Sequence, residues 1–145
     1  GVGNPGSGDD AAGREVARRL SERAPHGFDV RESDGEATSL MAAWEDADEV
    51  IVIDACRGAG PPGHVHVLDP ADVERLASLR TASTHSFGVA AAIGLARALG
   101  RLPSRLTVYA VEGRSFREAT PLSPEVDRAV DALVVRLERD SPATA

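Results

Sequence analysis

A chain of 145 residues is long enough for one domain with its own core, and its net charge of −7 excludes the basic surface that nucleic-acid binding requires. All sixteen basic residues are arginine, which removes a P-loop lysine, a Schiff-base lysine and a Ser-Lys dyad from consideration. Aromatic residues make up 3% of the chain, so the core must be built from Val, Leu, Ile and Ala.

No apolar run reaches the length of a membrane span and no signal peptide is visible. The single cysteine, Cys56, rules out an internal disulfide and fits a reducing compartment, so a cytoplasmic location is expected.

The opening GVGNPGSGDDAAG combines five glycines, a proline and two adjacent carboxylates, Asp9 and Asp10, ahead of a helical pattern. A glycine-rich turn that opens a helix normally follows a strand, so a first strand is expected before Gly1 or as a stub there. Asp9 reads as an N-cap of the helix that follows. Ala12, Val16, Ala17, Leu20 and Ala24 give helical spacing from Asp10 to Ala24, with Glu15 and Arg19 paired at i,i+4 on the outer side. Phe28 to Arg31 alternates apolar and charged residues and predicts a half-exposed strand. Ser39 to Ala47 predicts a short helix.

The stretch EVIVIDA, Glu49 to Ala55, is rich in β-branched residues and apolar on both faces, as in a strand buried within a parallel sheet. Asp54 lies at its carboxyl end. His64 to Leu68 alternates and predicts another strand, and Ala71 to Leu79 a helical turn or two. The polar segment 81–85 leads into an Ala-rich helix, Phe87 to Leu99. Leu106 to Val111 is the last strand. Ser123-Pro124-Glu125 starts a closing helix striped by Val126, Val130, Leu133, Val134 and Leu137, and the tail after Asp140 frays. Strands alternating with helices give a single α/β domain, a mostly parallel twisted sheet with helices on both faces.

Ligands of open α/β sheets bind outside the carboxyl ends of the strands. Asp10 after the first turn, Asp54 at the end of the central strand and His85 before the Ala-rich helix all belong at that edge. Two carboxylates and an imidazole compose a donor set for a divalent metal. A helix N-terminus next to His85 favours the neutral ring, the metal-binding form. The plainer alternative is a turn-forming Asp and a capping His that never meet. His64 and His66, at i,i+2 on one strand face, form a competing chelating pair, read here as the solvated side of an edge strand alternating with Val65 and Val67. Cys56 reads as a small buried hydrophobe and Glu112 as a solvated loop residue. A triad of Ser86, His85 and Asp54 is disfavoured, because adjacent Ser86 and His85 diverge and no G-x-S-x-G elbow is present.

Four segments in register resemble the nickel–iron hydrogenase maturation proteases, which process the hydrogenase large subunit. They are GVGNPGSGDDAAG, IVIDACRGAGPPGHVHVLDP, THSFGVAAAIGLARALGRLPSRLTVYAVEG and LSPEVDRAVDALVVRL. The resemblance spans nearly the whole chain. It implies a three-layer α/β sandwich of phosphorylase/hydrolase-like type and metal binding through Asp10, Asp54 and His85. It also implies an endopeptidase that recognises nickel already inserted in a hydrogenase large-subunit precursor and removes a short C-terminal peptide. The nickel then belongs to the substrate. The group that breaks the peptide bond is not assigned; a metal-polarised carbonyl or metal-bound water is one route. No membrane partner, no nucleic acid and a monomer are expected.

Two departures stand out. Asp34 to Ser39 only approximates the family's G-T-x-G stretch, and the first ligand, often Glu, is Asp10. One alternative is a family member that binds metal or precursor without cutting it. A second is a peptidyl-tRNA hydrolase, which shares the G-x-G-N-P-G opening but needs a histidine soon after it; none falls between Gly1 and Pro25. A dinucleotide-binding reading fails because Gly6 still lies in the loop.

Overall fold

A computed structural model describes residues 1–23, 26–58, 60–79 and 87–141. A 3-10 turn, Gly8–Ala11, leads directly into α1, Ala12–Arg23. Then come α2 (Ala37–Trp44), β1 (Glu49–Cys56), β2 (Val65–Leu68), α3 (Val73–Ser78), α4 (Phe87–Ala98), β3 (Arg105–Glu112) and α5 (Pro124–Asp140).

The strand order is β1-β3-β2. β1 and β3 run parallel from Glu49 opposite Arg105 to Cys56 opposite Glu112. β2 runs antiparallel to the other edge of β3, with His66 opposite Ala110. The sheet therefore has one parallel and one antiparallel seam. The short β2 returns from β1 through the loop around Gly58–Gly63 and needs no crossover helix to lie antiparallel.

Period-2 alternation divides the sheet between two cores. Val52, Cys56, Val108 and Ala110 point to one side, against Leu40 and Trp44 of α2, Leu76 of α3 and Val89, Ala92, Ile93 and Ala96 of α4. Ile53, Ala55, Tyr109 and Val111 point to the other, against Ala12, Val16 and Leu20 of α1 and Val126, Val130, Leu133, Val134 and Leu137 of α5. Helices thus cover both faces. Alanines in α4 let it lie close to the sheet, as its composition predicts. The Glu15–Arg19 pair forms at 2.8 Å, and Arg19 reaches on to Asp127 and Asp131, both at 2.6 Å, linking α1 to α5.

The strand predicted at Phe28 to Arg31 is absent. Asp29 and Arg31 pair with each other at 2.6 Å, and the backbone meets the opening segment through the Arg31 carbonyl, which accepts from the Gly1 ammonium at 2.9 Å, and through Ser33, bridged in parallel to Val2. Val2 in turn donates its N–H to the Ile53 carbonyl at 2.8 Å. The expected first strand is seen here as that bridge. α2 starts earlier than predicted because the Glu36 carboxylate accepts the N–H groups of Thr38 and Ser39. The predicted end of the first helix at Ala24, the polar segment 81–85 and the tail beyond 141 lie outside the described residues. Among the described residues no helix is long and apolar enough to cross a membrane.

Candidate active site

The two adjacent carboxylates of the opening loop have different jobs. Asp9 is fully buried but does not cap α1. Its side chain crosses to the segment between β3 and α5. There Oδ2 accepts the N–H of Arg114 (2.7 Å), the N–H of Ser115 (3.0 Å) and the hydroxyl of Ser123 (2.7 Å). Oδ1 accepts the N–H of Ser123 at 2.7 Å. Ser123, the residue preceding α5, spends its hydroxyl on Asp9, so it makes no side-chain cap of its own helix. Backbone bonds from Asp9 N–H to Ser115 O, Gly8 N–H to Thr120 O and Ala119 N–H to Gly6 O complete the seam.

With Asp9 holding the loop, Asp10 is set beside the end of β1. Asp10 is 5% exposed and Asp54 is 6% exposed. The Oδ2 of Asp10 accepts the N–H of Asn4 at 3.2 Å, and the Oδ1 of Asp54 accepts the N–H of Ala55 at 2.8 Å. Burial pushes the Asp54 carboxyl up to about 7, and the negative charge of Asp10 adds to the rise. The pairing depends on how closely α1 approaches β1. A side chain at Gly13 would place its Cβ 2.1 Å from the Ile53 carbonyl oxygen and 2.4 Å from that of Val2, so only glycine fits. Two of the three residues that the sequence set at this edge, Asp10 and Asp54, are thus both buried, with the charge of Asp10 felt at Asp54. The third, His85, lies outside the described residues.

The segment Asp34 to Ser39 reaches the same edge of the sheet. Gly88, in the first turn of α4, lies so close to the Gly35 carbonyl that a Cβ would sit 1.5 Å from its oxygen. The stretch that departs from the family's pattern thus adjoins the helix that His85 precedes in sequence.

Beyond Asp54 on the same strand face, the reading of His66 and Glu112 as solvated is corrected. Glu112 is 1% exposed. It accepts the N–H of Gly58 at 2.7 Å and of Gly60 at 3.2 Å, and its Oε1 lies 2.7 Å from His66 Nε2. Burial alone would raise its pKa, but the His66 ring and the two amides outweigh burial and hold it below the ordinary value. His66 turns inward to meet Glu112, and Val67 is 48% exposed instead, the reverse of the predicted alternation. A buried carboxylate that can collect three donors outweighs the burial of one valine at an edge strand. Cys56 is buried as expected, and burial with the nearby charges of Glu112 and Asp54 pushes its thiol up to about 12.

A chain with this fold and this pair of carboxylates can be compared with known proteins. The hydrogenase maturation protease profile matches residues 15–140, which include Asp54 and His85. The chain belongs to the hydrogenase maturation protease family. HupD of Rhodobacter capsulatus, a hydrogenase expression/formation protein, is 26% identical over 143 residues, covering 97% of this chain and 68% of HupD. The hydrogenase 2 maturation peptidase of a Thaumarchaeota archaeon is 32% identical with a TM-score of 0.66, over 96% of this chain and 93% of its own. The hydrogenase maturating endopeptidase HybD of E. coli is 25% identical with a TM-score of 0.72, over 97% and 90%. Membership makes the chain an endopeptidase and removes the peptidyl-tRNA hydrolase alternative.

Proposed function

We propose that this endopeptidase removes a short C-terminal peptide from the precursor of a nickel–iron hydrogenase large subunit, and that Asp10, Asp54 and His85 close on nickel already carried by that precursor. The observation that carries the proposal is the burial together of Asp10 and Asp54, with Asp54 held well above the ordinary carboxyl range. Burial disfavours the ionised form of Asp54, and a divalent ion that takes the carboxylate offsets that cost. Two carboxylate oxygens and a neutral imidazole suit a borderline ion such as nickel. The nickel is read as part of the substrate: its arrival displaces the proton that Asp54 carries near neutral pH and positions the precursor against the opening loop. Asp9 takes no part in the chemistry and fixes the loop that presents Asp10. The enzyme is proposed to work as a monomer in the cytoplasm.

A second reading, a member that holds the precursor without cutting it, rests on the departure at Asp34 to Ser39, where Glu36 caps α2. Processing by single variants tests the proposal. Asp10→Ala, Asp54→Ala and His85→Ala should each abolish shortening of the precursor on a gel while keeping the fold by circular dichroism. Normal processing by any two of them would overturn the three-residue site. A wild type that retains the precursor in a pull-down without shortening it would favour the second reading.

A further inference from the structure

The described residues hold a donor set apart from the proposed Asp10, Asp54 and His85. Cys56 ends β1, His66 lies on β2 and Glu112 ends β3, so three strands deliver one ligand atom each, all within 4.8 Å of one another. The register explains the meeting. Cys56 is opposite Glu112 across the parallel seam, and His66 is opposite Ala110, two residues before Glu112 and on its side of the sheet. The His64 ring stands edge-on to His66 with centroids 4.7 Å apart, at the exposed mouth of the cluster.

We infer that Cys56, His66 and Glu112 form a second metal site, for a zinc-class divalent cation, with His64 or water as the fourth ligand. The donor chemistry is thiolate, imidazole and carboxylate, the mixture that zinc and cobalt accept in tetrahedral sites. Bond lengths of about 2.0–2.3 Å place the ligands of such an ion roughly 3.3–3.8 Å apart, so His66 Nε2 and Glu112 Oε1, now 2.7 Å apart, part to admit the ion, a movement within reach of side-chain rotation. His66 Nε2 and Glu112 Oε1 already face each other at 2.7 Å, and the side chain of His66 is only 11% exposed. In the neutral ring Nε2 can offer its lone pair, so a cation at the cluster takes the place of the proton shared by His66 and Glu112. Glu112 has lone pairs enough to take a cation and keep the Gly58 amide. Cys56 follows Asp54 by two residues on the same strand face, so the site adjoins the proposed nickel site but shares no ligand with it.

Cobalt(II) titration of the purified full-length chain tests this directly. Cys56 is the sole cysteine, so a near-ultraviolet thiolate-to-cobalt charge-transfer band can arise from no other residue. The inference expects that band at one cobalt per chain in a sample that is monomeric by gel filtration. Zinc should displace it stoichiometrically. Asp54→Asn should retain the band, whereas Cys56→Ser should abolish it and His66→Gln should weaken cobalt binding at least tenfold. A folded wild type without the band at saturating cobalt, or a band lost in Asp54→Asn, would overturn the inference. In the first outcome Glu112 and His66 are a structural clamp on the Gly58–Gly60 loop; in the second, Cys56 belongs to the nickel site.

Discussion

Substituting Asp9 by alanine separates the two adjacent carboxylates more sharply than any activity assay. The change removes the acceptor of three backbone N–H groups and one hydroxyl, on Arg114, Ser115 and Ser123. A hydrogen bond to a charged group contributes about 1.5–3 kcal/mol, and a buried donor left unsatisfied costs about 1–3 kcal/mol. Four such bonds summed naively come to about 6–12 kcal/mol, as much as the whole stability of a typical domain, about 5–15 kcal/mol. They share one acceptor and so are not additive, and water can reach part of the seam once it loosens. A loss of about 4 kcal/mol is the expected result. Asp10→Ala leaves all four bonds in place and should cost less than half as much. The assay is urea unfolding followed by the fluorescence of Trp44, the sole tryptophan and a buried one. With a slope of about 2 kcal/mol per molar urea, the Asp9→Ala midpoint falls by about 2 M. A fall under about 0.5 M, or one matched by Asp10→Ala, would refute the structural role given to Asp9.

Asp54 makes stability depend on pH. Its folded-state pKa of about 7 lies above the ordinary 3.8, so the folded chain binds the extra proton between these values. Stability of the chelator-treated protein is therefore full below about pH 4 from this group and is lost as pH rises through 7, by up to about 4 kcal/mol. Asp54→Asn should raise the urea midpoint at pH 8 and lose that advantage toward pH 4; identical pH profiles for variant and wild type would contradict the assignment. Gly13→Ala drives a Cβ into two backbone carbonyls and should lower Tm by more than about 5 °C in a scanning calorimeter, an overpacking cost of roughly 2–3 kcal/mol. Glu112→Ala releases the amides of Gly58 and Gly60, so trypsin should cut after the exposed Arg57 several-fold faster, measured by fragment mass; an unchanged rate would show that the loop is held by other contacts.

Much of this architecture is legible in the residues. The β-branched run of β1, the Ala-rich α4 and the Ser-Pro-Glu start of α5 each carry a local signal strong enough to survive tertiary context. The placement of Asp10 and Asp54 at one edge was legible because the first turn and the carboxyl end of a central strand meet there in an α/β fold. Asp9 was misread because a capping role is a local property, whereas its partners lie more than a hundred residues away, beyond β3. His66 was misread because alternation assigns one face to water by polarity alone. Only the three-strand register brings Glu112 across to His66, though the His-x-His spacing was a visible sign of it. Phe28 to Arg31 alternates like a strand, yet of its described backbone only the Arg31 carbonyl meets the opening segment, at the Gly1 ammonium (2.9 Å), which does not make a ladder.

The central claim is that this chain trims a nickel-bearing precursor. The most direct measurement is the intact mass of a cognate hydrogenase large-subunit precursor, nickel-loaded and nickel-free, before and after incubation with the protein. The account predicts loss of a single C-terminal peptide from the nickel-loaded form alone, and no loss with Asp54→Ala. Cleavage of the nickel-free form at an equal rate would contradict the role given to the metal, and no cleavage of either form would contradict the proposed processing of that substrate.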